Sequence, residues 1–148
     1  DAISRKYEYH VVTHKNVFLS DLSVRMLYPL DFDAMNKAAA LLMNYTDFTS
    51  FSKLHTDVKT NNCEIYKAFW EQCDGIWVFT IEANRFLRNM VRAIVGTLFE
   101  VGRSKMTLQQ FRDVIEAKDR CSAGASVPAK GLYLVDITYP DSIFINKN

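Results

Sequence analysis

Arg85, Arg88 and Arg92 recur at helical spacing in the stretch A-N-R-F-L-R-N-M-V-R-A-I-V-G-T-L-F-E-V-G, Ala83 to Gly102. Guanidinium groups aligned in this way suit anions, because each presents a planar fork of donors to a carboxylate or phosphate. At about 100° per residue the three arginines share a narrow stripe with Asn89 and Gly96, while Phe86, Leu87, Met90, Val91, Ile94, Val95, Leu98 and Val101 fill a broad apolar arc. The pattern predicts a helix over Ala83 to Gly102, with Asn84 as N-cap and Gly102 just past the end. Its charge order runs against the helix dipole, with arginines in the N-terminal half and Glu100 near the C-terminus. A helix holding arginines for anions and a core helix with a solvated arginine edge both fit that pattern.

Other chemistry is sparse. There is no Gly-rich phosphate loop, H-E-x-x-H, nucleophile elbow or EF-hand loop. His10, His14 and His55 lie among polar residues without metal-ligand spacing, so no metal site is expected. Cys63, Cys73 and Cys121 are odd in number and form no C-x-x-C, which points to a reducing compartment, the cytoplasm. Asp47 and Asp119 read as cap or turn residues. Asp136, in the last strand pattern, alternates onto the face of Leu132 and Leu134, where an ion-paired or edge-exposed acid is expected.

The chain has 148 residues, 49% hydrophobic and 24% charged, with a net charge of +1. That composition fits one globular domain over residues 1–148 and excludes a global polycation, so a nucleic-acid partner would need a local basic patch. No apolar run reaches bilayer length and no signal peptide is evident, so no membrane partner is expected. The chain opens without Met and passes almost at once into a strand pattern, which suggests part of a longer protein.

The elements that must position the arginines follow in order. Arg5 to Val12 alternates as a strand, with Arg5, Tyr7, Tyr9 and Val11 on one face. A polar loop over Thr13 to Asp21 follows, carrying His14. Asp31 caps a helix to about Met43, with Ala34, Ala38, Leu41 and Leu42 facing the core. D-F-T-S-F at Asp47 to Phe51 reads as a short strand. Ser52 to Asn62 reads as a polar loop whose Lys53, His55 and Lys59 are either solvated or placed on RNA phosphate. Cys63 to Gln72 and Ile76 to Glu82 form a hairpin across Asp74-Gly75. After the arginine helix, Thr107 caps another with Leu108, Phe111, Val114 and Ile115 on one face, and Cys121 to Lys130 is a small-residue loop. Leu132 to Tyr139 is a last strand. The order β, α, short β, β, β, α, α, β predicts an α+β fold: a mixed, largely antiparallel sheet with helices packed on one face.

The long block from Asn84 to Gly102, E-A-K-D-R at Glu116 to Arg120 and V-P-A-K-G-L-Y-L-V at Val127 to Val135 resemble the signature blocks of TruA-type tRNA pseudouridine synthases. S-R-K-Y-E-Y at the start and D-F-T-S-F match the same family in the same order, so the resemblance spans Ser4 to Pro140. It implies isomerisation of uridine to pseudouridine in the anticodon stem-loop of tRNA, without metal or organic cofactor, by a homodimer with a pseudouridine synthase fold. An aspartate is the family's nucleophile, a tyrosine stacks on the flipped base, and a basic residue pairs with the aspartate.

Carried to this sequence, the stacking tyrosine is Tyr7 and the basic partner is Arg92. Arg5, Arg85 and Arg88 would meet RNA phosphates, and Pro128, Gly131 and Leu132 would wall the pocket. The aspartate belongs to a G-R-T-D-x-G-V-H-like motif that precedes the R-x-Y-x-Y strand in the family and does not occur in these residues. The chain therefore looks like a C-terminal part, inactive by itself. Two other readings stay open: a related RNA-binding module that performs no chemistry, and an α+β enzyme whose arginines clamp a small anion.

Overall fold

The computed structural model describes residues 3–13, 23–26, 28–53 and 60–140. His14, His55, Lys59 and most of the two polar loops expected around them lie outside the described residues. Among the described residues five strands form one sheet: β1 Ser4–Val12, β2 Val24–Arg25, β3 Ile65–Cys73, β4 Ile76–Ala83 and β5 Leu132–Thr138. β1 is central and pairs antiparallel with β4. On its other edge it pairs antiparallel with β5 over Ser4 to Tyr9 and parallel with β2 at Val11 and Val12. β3 completes the far edge against β4.

The hairpin between β3 and β4 turns through Asp74 and Gly75, both with positive φ (50° and 80°). Such a two-residue turn matches the right-handed twist of the strands, which is why D-G occupies it. The mixed, largely antiparallel sheet agrees with the expected α+β class. The parallel β2 had no signal, since two residues carry no period.

The described residues form three α-helices, α1 Phe32–Leu41, α2 Met90–Gly102 and α3 Leu108–Ala117, which share one core with the sheet. Tyr9, Val11, Ala68, Trp70, Phe79 and Ile81 meet Met35, Ala38, Ile94, Leu98, Phe111 and Ile115 there, all buried. Capping follows the sequence: Asp31 Oδ1 accepts from the Ala34 amide at 3.0 Å, and Thr107 with Gln110 forms a reciprocal capping box. α1 also closes the sheet edge. The Asn36 side chain donates to the Trp70 carbonyl and accepts from the Trp70 amide, at 3.1 and 2.6 Å, occupying β3 groups that would otherwise be open to another strand.

Three local expectations are corrected. The helix expected from Ala83 begins only at Met90. β4 runs on to Ala83, and Asn84 continues the pairing with the start of β3: its amide donates to the Glu64 carbonyl and its side chain accepts from the Glu64 amide. Asn84 is therefore no helix cap, and Asn89, at φ 68°, turns the chain into the helix instead. Asn is one of the few residues that enters this left-handed region at low cost.

D-F-T-S-F forms a 3-10 turn, Thr49–Phe51, with one isolated bridge between Asp47 and Asn62. Asp47 Oδ1 accepts from both the Thr49 amide and hydroxyl, and Phe48 and Phe51 are fully buried, so local capping overrides the β period. Finally, a register shift in the β1–β5 ladder pairs Tyr7 with Leu134 but Lys6 with Asp136. Asp136 thus leaves the face of Leu132 and Leu134 and sits exposed beside Lys6.

Candidate functional site

The segment 84–89 and the first turn of α2 meet β1 and β5 around a cavity of about 270 Å³. Tyr7, Phe86 and Leu132 give it an apolar wall, and Lys53, Arg88 and Arg92 give it basic groups. The Tyr7 and Phe86 rings stand edge to face, with centroids 5.0 Å apart and planes at 89°. This edge-to-face contact orients the Tyr7 ring.

Tyr7 reaches the cavity because β1 pairs it with Ile81 on one side and Leu134 on the other, on the helix-bearing face of the sheet. Further along that face Tyr9 is fully buried, while Tyr7 is only half-buried at the edge of the core.

Arg92 lies in the first turn of α2. Its Nε donates to the Val127 carbonyl at 2.7 Å, and the Val127 amide donates back to the Arg92 carbonyl at 3.2 Å. Among the described residues it has no ion-pair partner. The exchange is possible because α2 and the segment 123–127 approach closely: a Cβ on Gly96 would stand 1.8 Å from the Ala125 carbonyl oxygen. At the neighbouring residue of α2, the Gly124 amide donates to Thr97 Oγ1 at 2.9 Å. The face of α2 carrying Arg92 and Gly96 is therefore the seat of a peptide segment, and the small-residue character of that segment has a steric cause.

Asn89 and Arg120 brace the same segment, both through Ser126. Asn89 Nδ2 donates to Ser126 Oγ at 2.6 Å, and Arg120 donates to Ser126 Oγ and to the Gly124 carbonyl, both at 3.0 Å.

The other expected site residues separate. Leu132 lines the cavity. Pro128 and Gly131 stand behind it: the Pro128 carbonyl accepts from the Tyr9 hydroxyl at 2.6 Å, and a Cβ on Gly131 would lie 2.9 Å from Tyr9 Cζ. Burial pushes the Tyr9 hydroxyl far above the ordinary tyrosine range, with the charge of Arg92 opposing. Arg88 is exposed at the cavity. Arg85 does not extend a helical stripe. From the segment before α2 its Nη1 donates to the carbonyls of Thr60 and Asn62, both at 2.9 Å. Arg5 is exposed on β1, opposite Ala83 and Ile137, away from the cavity lining.

Lys53, Phe86 and Asn89 also line the cavity without having been singled out for it. Asn89 was the legible one of these, since an Asn before a helical run can take the left-handed turn. Phe86 belonged to the apolar arc and Lys53 to a loop, and neither pattern shows that they meet.

The arrangement offers an aromatic platform next to convergent positive charge, reinforced by the partial positive charge of the α2 N-terminus. Among the described residues no acid lines the cavity, and no group of three or more His, Cys, Asp or Glu could hold a metal ion. Asp47 caps its turn, and Asp119 Oδ1 accepts from the Cys121 amide at 3.0 Å. The thiol of Cys63, pushed up by burial, packs beside Met90 Sδ at 3.9 Å in the core. Among the described residues no helix is long and apolar enough to cross a membrane.

A family model described as tRNA pseudouridine synthase matches residues 38–140. Several proteins named tRNA pseudouridine synthase A are similar to the chain. That of Parabacteroides distasonis is 62% identical over 144 residues, which cover 97% of this chain and 57% of the relative. That of Porphyromonas gingivalis is 56% identical over 147 residues, covering 98% and 58%. A more distant one, from a Geobacillus species, is 40% identical over 134 residues, covering 90% and 54%. The chain thus spans somewhat over half the length of these relatives.

Proposed function

The chain belongs to the tRNA pseudouridine synthase family, and we propose that its cavity receives the uridine that such an enzyme isomerises in the anticodon stem-loop of tRNA. One observation carries the reading: Tyr7 and Arg92, far apart in sequence, line one cavity in which the arginine is anchored through Nε and free of any acid among the described residues. Tyr7 supports the extruded base by stacking. Arg92 turns the remainder of its guanidinium fork toward the nucleophilic aspartate, which in this reading comes from outside residues 1–148. In the reaction N1–C1′ breaks, the base turns, C5–C1′ forms, and the proton leaves C5 while N1 gains one. No cofactor is needed for this exchange, but a positioned nucleophile is.

Leu132 walls the base site, and Pro128 and Gly131 hold Tyr9 behind it. Arg5 and Arg88 meet backbone phosphates, with Arg85 contributing through donors other than its Nη1. The reading includes one domain over residues 1–148, a cytoplasmic location and a homodimer whose two subunits share the tRNA.

The test is incubation with unmodified tRNA of a protein that has the relatives' full length and carries these residues, followed by chemical labelling and primer extension. Stops at an anticodon stem-loop uridine are expected. A polypeptide limited to residues 1–148 should bind tRNA without converting it. Binding without conversion by the long protein would instead favour a non-catalytic RNA-binding module.

A further inference from the structure

We propose that Lys53, with Arg88, clamps the backbone phosphate of the nucleotide whose base lies on Tyr7; the assignment rests on the function proposed above. Lys53 and Arg88 come from separate segments, yet the Lys53 amide donates to the Arg88 carbonyl at 3.1 Å, so their backbones are fastened together at the cavity. Both residues are exposed, both line the cavity, and neither takes part in an ion pair among the described residues.

The support beneath Lys53 is unusually firm for a lysine at a chain turn. The preceding Asp47 to Ser52 segment is pinned by Phe48 and Phe51, both fully buried, and by the buried hydroxyl of Ser50, which donates to the Val114 carbonyl at 2.5 Å and accepts from the Asp119 amide at 3.0 Å. Asn61 Nδ2 donates to Thr49 Oγ1 at 2.9 Å from the other side. Lys53 is the first exposed residue after this anchor. A side chain mounted on packed structure binds with less loss of freedom than one on a free loop.

The chemistry divides between two pairs. Tyr7 and Phe86 form the aromatic pair and suit a base. Lys53 and Arg88 form the basic pair and suit the single negative charge of a phosphodiester, with no acid among the described residues of the cavity lining to compete. Arg92, which lines the same cavity, is already committed through Nε to Val127. Lys53 is a positioning residue: by fixing the phosphate it fixes how far the ribose enters and thus where C1′ lies over the platform.

The experiment uses the long protein and tRNA carrying either a normal linkage or an uncharged methylphosphonate next to the target uridine. Lys53→Gln should raise KM on the order of tenfold, the loss of one charge-assisted contact at a partly exposed site, and more than it lowers kcat. It should also reduce the slope of log affinity against log salt by about 0.7–0.9. Lys53→Arg should restore both. The neutral linkage should cost wild type more than Lys53→Gln does, since it removes the Arg88 contact as well, and should cost Lys53→Gln less than it costs wild type, because the Lys53 contact is already gone. Wild-type slope and KM for Lys53→Gln, or losses that multiply, would overturn the clamp while leaving the proposed function standing. Failure of wild type to convert any tRNA uridine would remove the proposed function and the clamp together.

Discussion

Arg92 and Val127 exchange hydrogen bonds in both directions, Nε to carbonyl at 2.7 Å and amide to carbonyl at 3.2 Å. The first bond occupies one edge of the guanidinium and fixes its plane, while the second locks the segment that supplies the acceptor. A fork held at one edge can meet a carboxylate with its other donors and lose little freedom in doing so. In the long protein, Arg92→Ala should leave tRNA affinity within a few-fold and lower single-turnover conversion by orders of magnitude, since removing one partner of a buried ion pair costs about 3–5 kcal/mol. Arg92→Lys should rescue little, because an ammonium is a point charge and cannot hold Val127 and a carboxylate in one plane. Near-normal single-turnover rates for either variant would separate Arg92 from the chemistry.

Gly96 tests how far that geometry depends on the close approach of the segment 123–127. A methyl group there would stand 1.8 Å from the Ala125 carbonyl oxygen, which is main chain and cannot rotate away. Gly96→Ala should therefore destabilise by about 1–3 kcal/mol despite the better helix propensity of alanine, and should lower conversion as the Val127 carbonyl moves. Chemical denaturation beside a single-turnover assay measures both. An alanine variant with unchanged stability would mean that the segment shifts freely and does not fix Arg92.

Tyr7 meets Phe86 edge to face at 5.0 Å. Tyr7→Phe keeps the ring and should keep tRNA binding, whereas Tyr7→Leu should lose about 1–3 kcal/mol of base stacking. A phenylalanine variant that binds normally and fails in conversion would assign the hydroxyl to proton removal from C5. Equal wild-type rates for both variants would reduce Tyr7 to a strand residue.

Arg85 and Arg88 resemble each other in sequence and differ in the structure. Arg85 Nη1 is engaged by the Thr60 and Asn62 carbonyls, and Arg88 is exposed at the cavity. Arg88→Gln should lower the slope of log tRNA affinity against log salt by about 0.7–0.9, the signature of one lost phosphate contact. Arg85→Gln should change the slope less and lower thermal stability more. The reverse order would restore the two arginines to one equivalent stripe.

That contrast also marks where sequence stops being informative. Spacing alone makes Arg85, Arg88 and Arg92 one face of a helix, and Phe86 and Leu87 complete its apolar arc. The same burial is achieved by a non-helical segment, because Leu87 enters the core before the helix starts at Met90. What decides between the two is the pairing of Asn84 with Glu64, a contact between distant residues that no local period encodes. Features set by neighbours were readable: the Asp74-Gly75 turn, the Asp31 cap and the Thr107 cap. Tyr7 and Arg92 were reached through family resemblance. Lys53 was visible as one of three basic loop residues, solvated or on RNA phosphate, but its place beside Arg88 was not, since that depends on how Phe48 and Phe51 anchor the preceding turn.

Tyr9 gives the site a response to alkali. Its hydroxyl is buried, donates to the Pro128 carbonyl at 2.6 Å, and is shifted upward by burial against the opposing charge of Arg92. An exposed tyrosine ionises near about pH 10, so the unfolded chain releases this proton first and the folded chain retains it. The stabilisation from the neutral hydroxyl is therefore complete below about pH 10 and declines as pH rises toward the higher folded-state value. Tyr9→Phe should cost about 1 kcal/mol at neutral pH, the net value of one hydrogen bond, and should flatten the fall in stability above about pH 10. Denaturant unfolding at neutral and alkaline pH, wild type beside the variant, measures the difference. Parallel declines above that pH would show that Tyr9 does not govern the alkaline limb, and would also detach the Pro128 contact from the stability of the cavity wall.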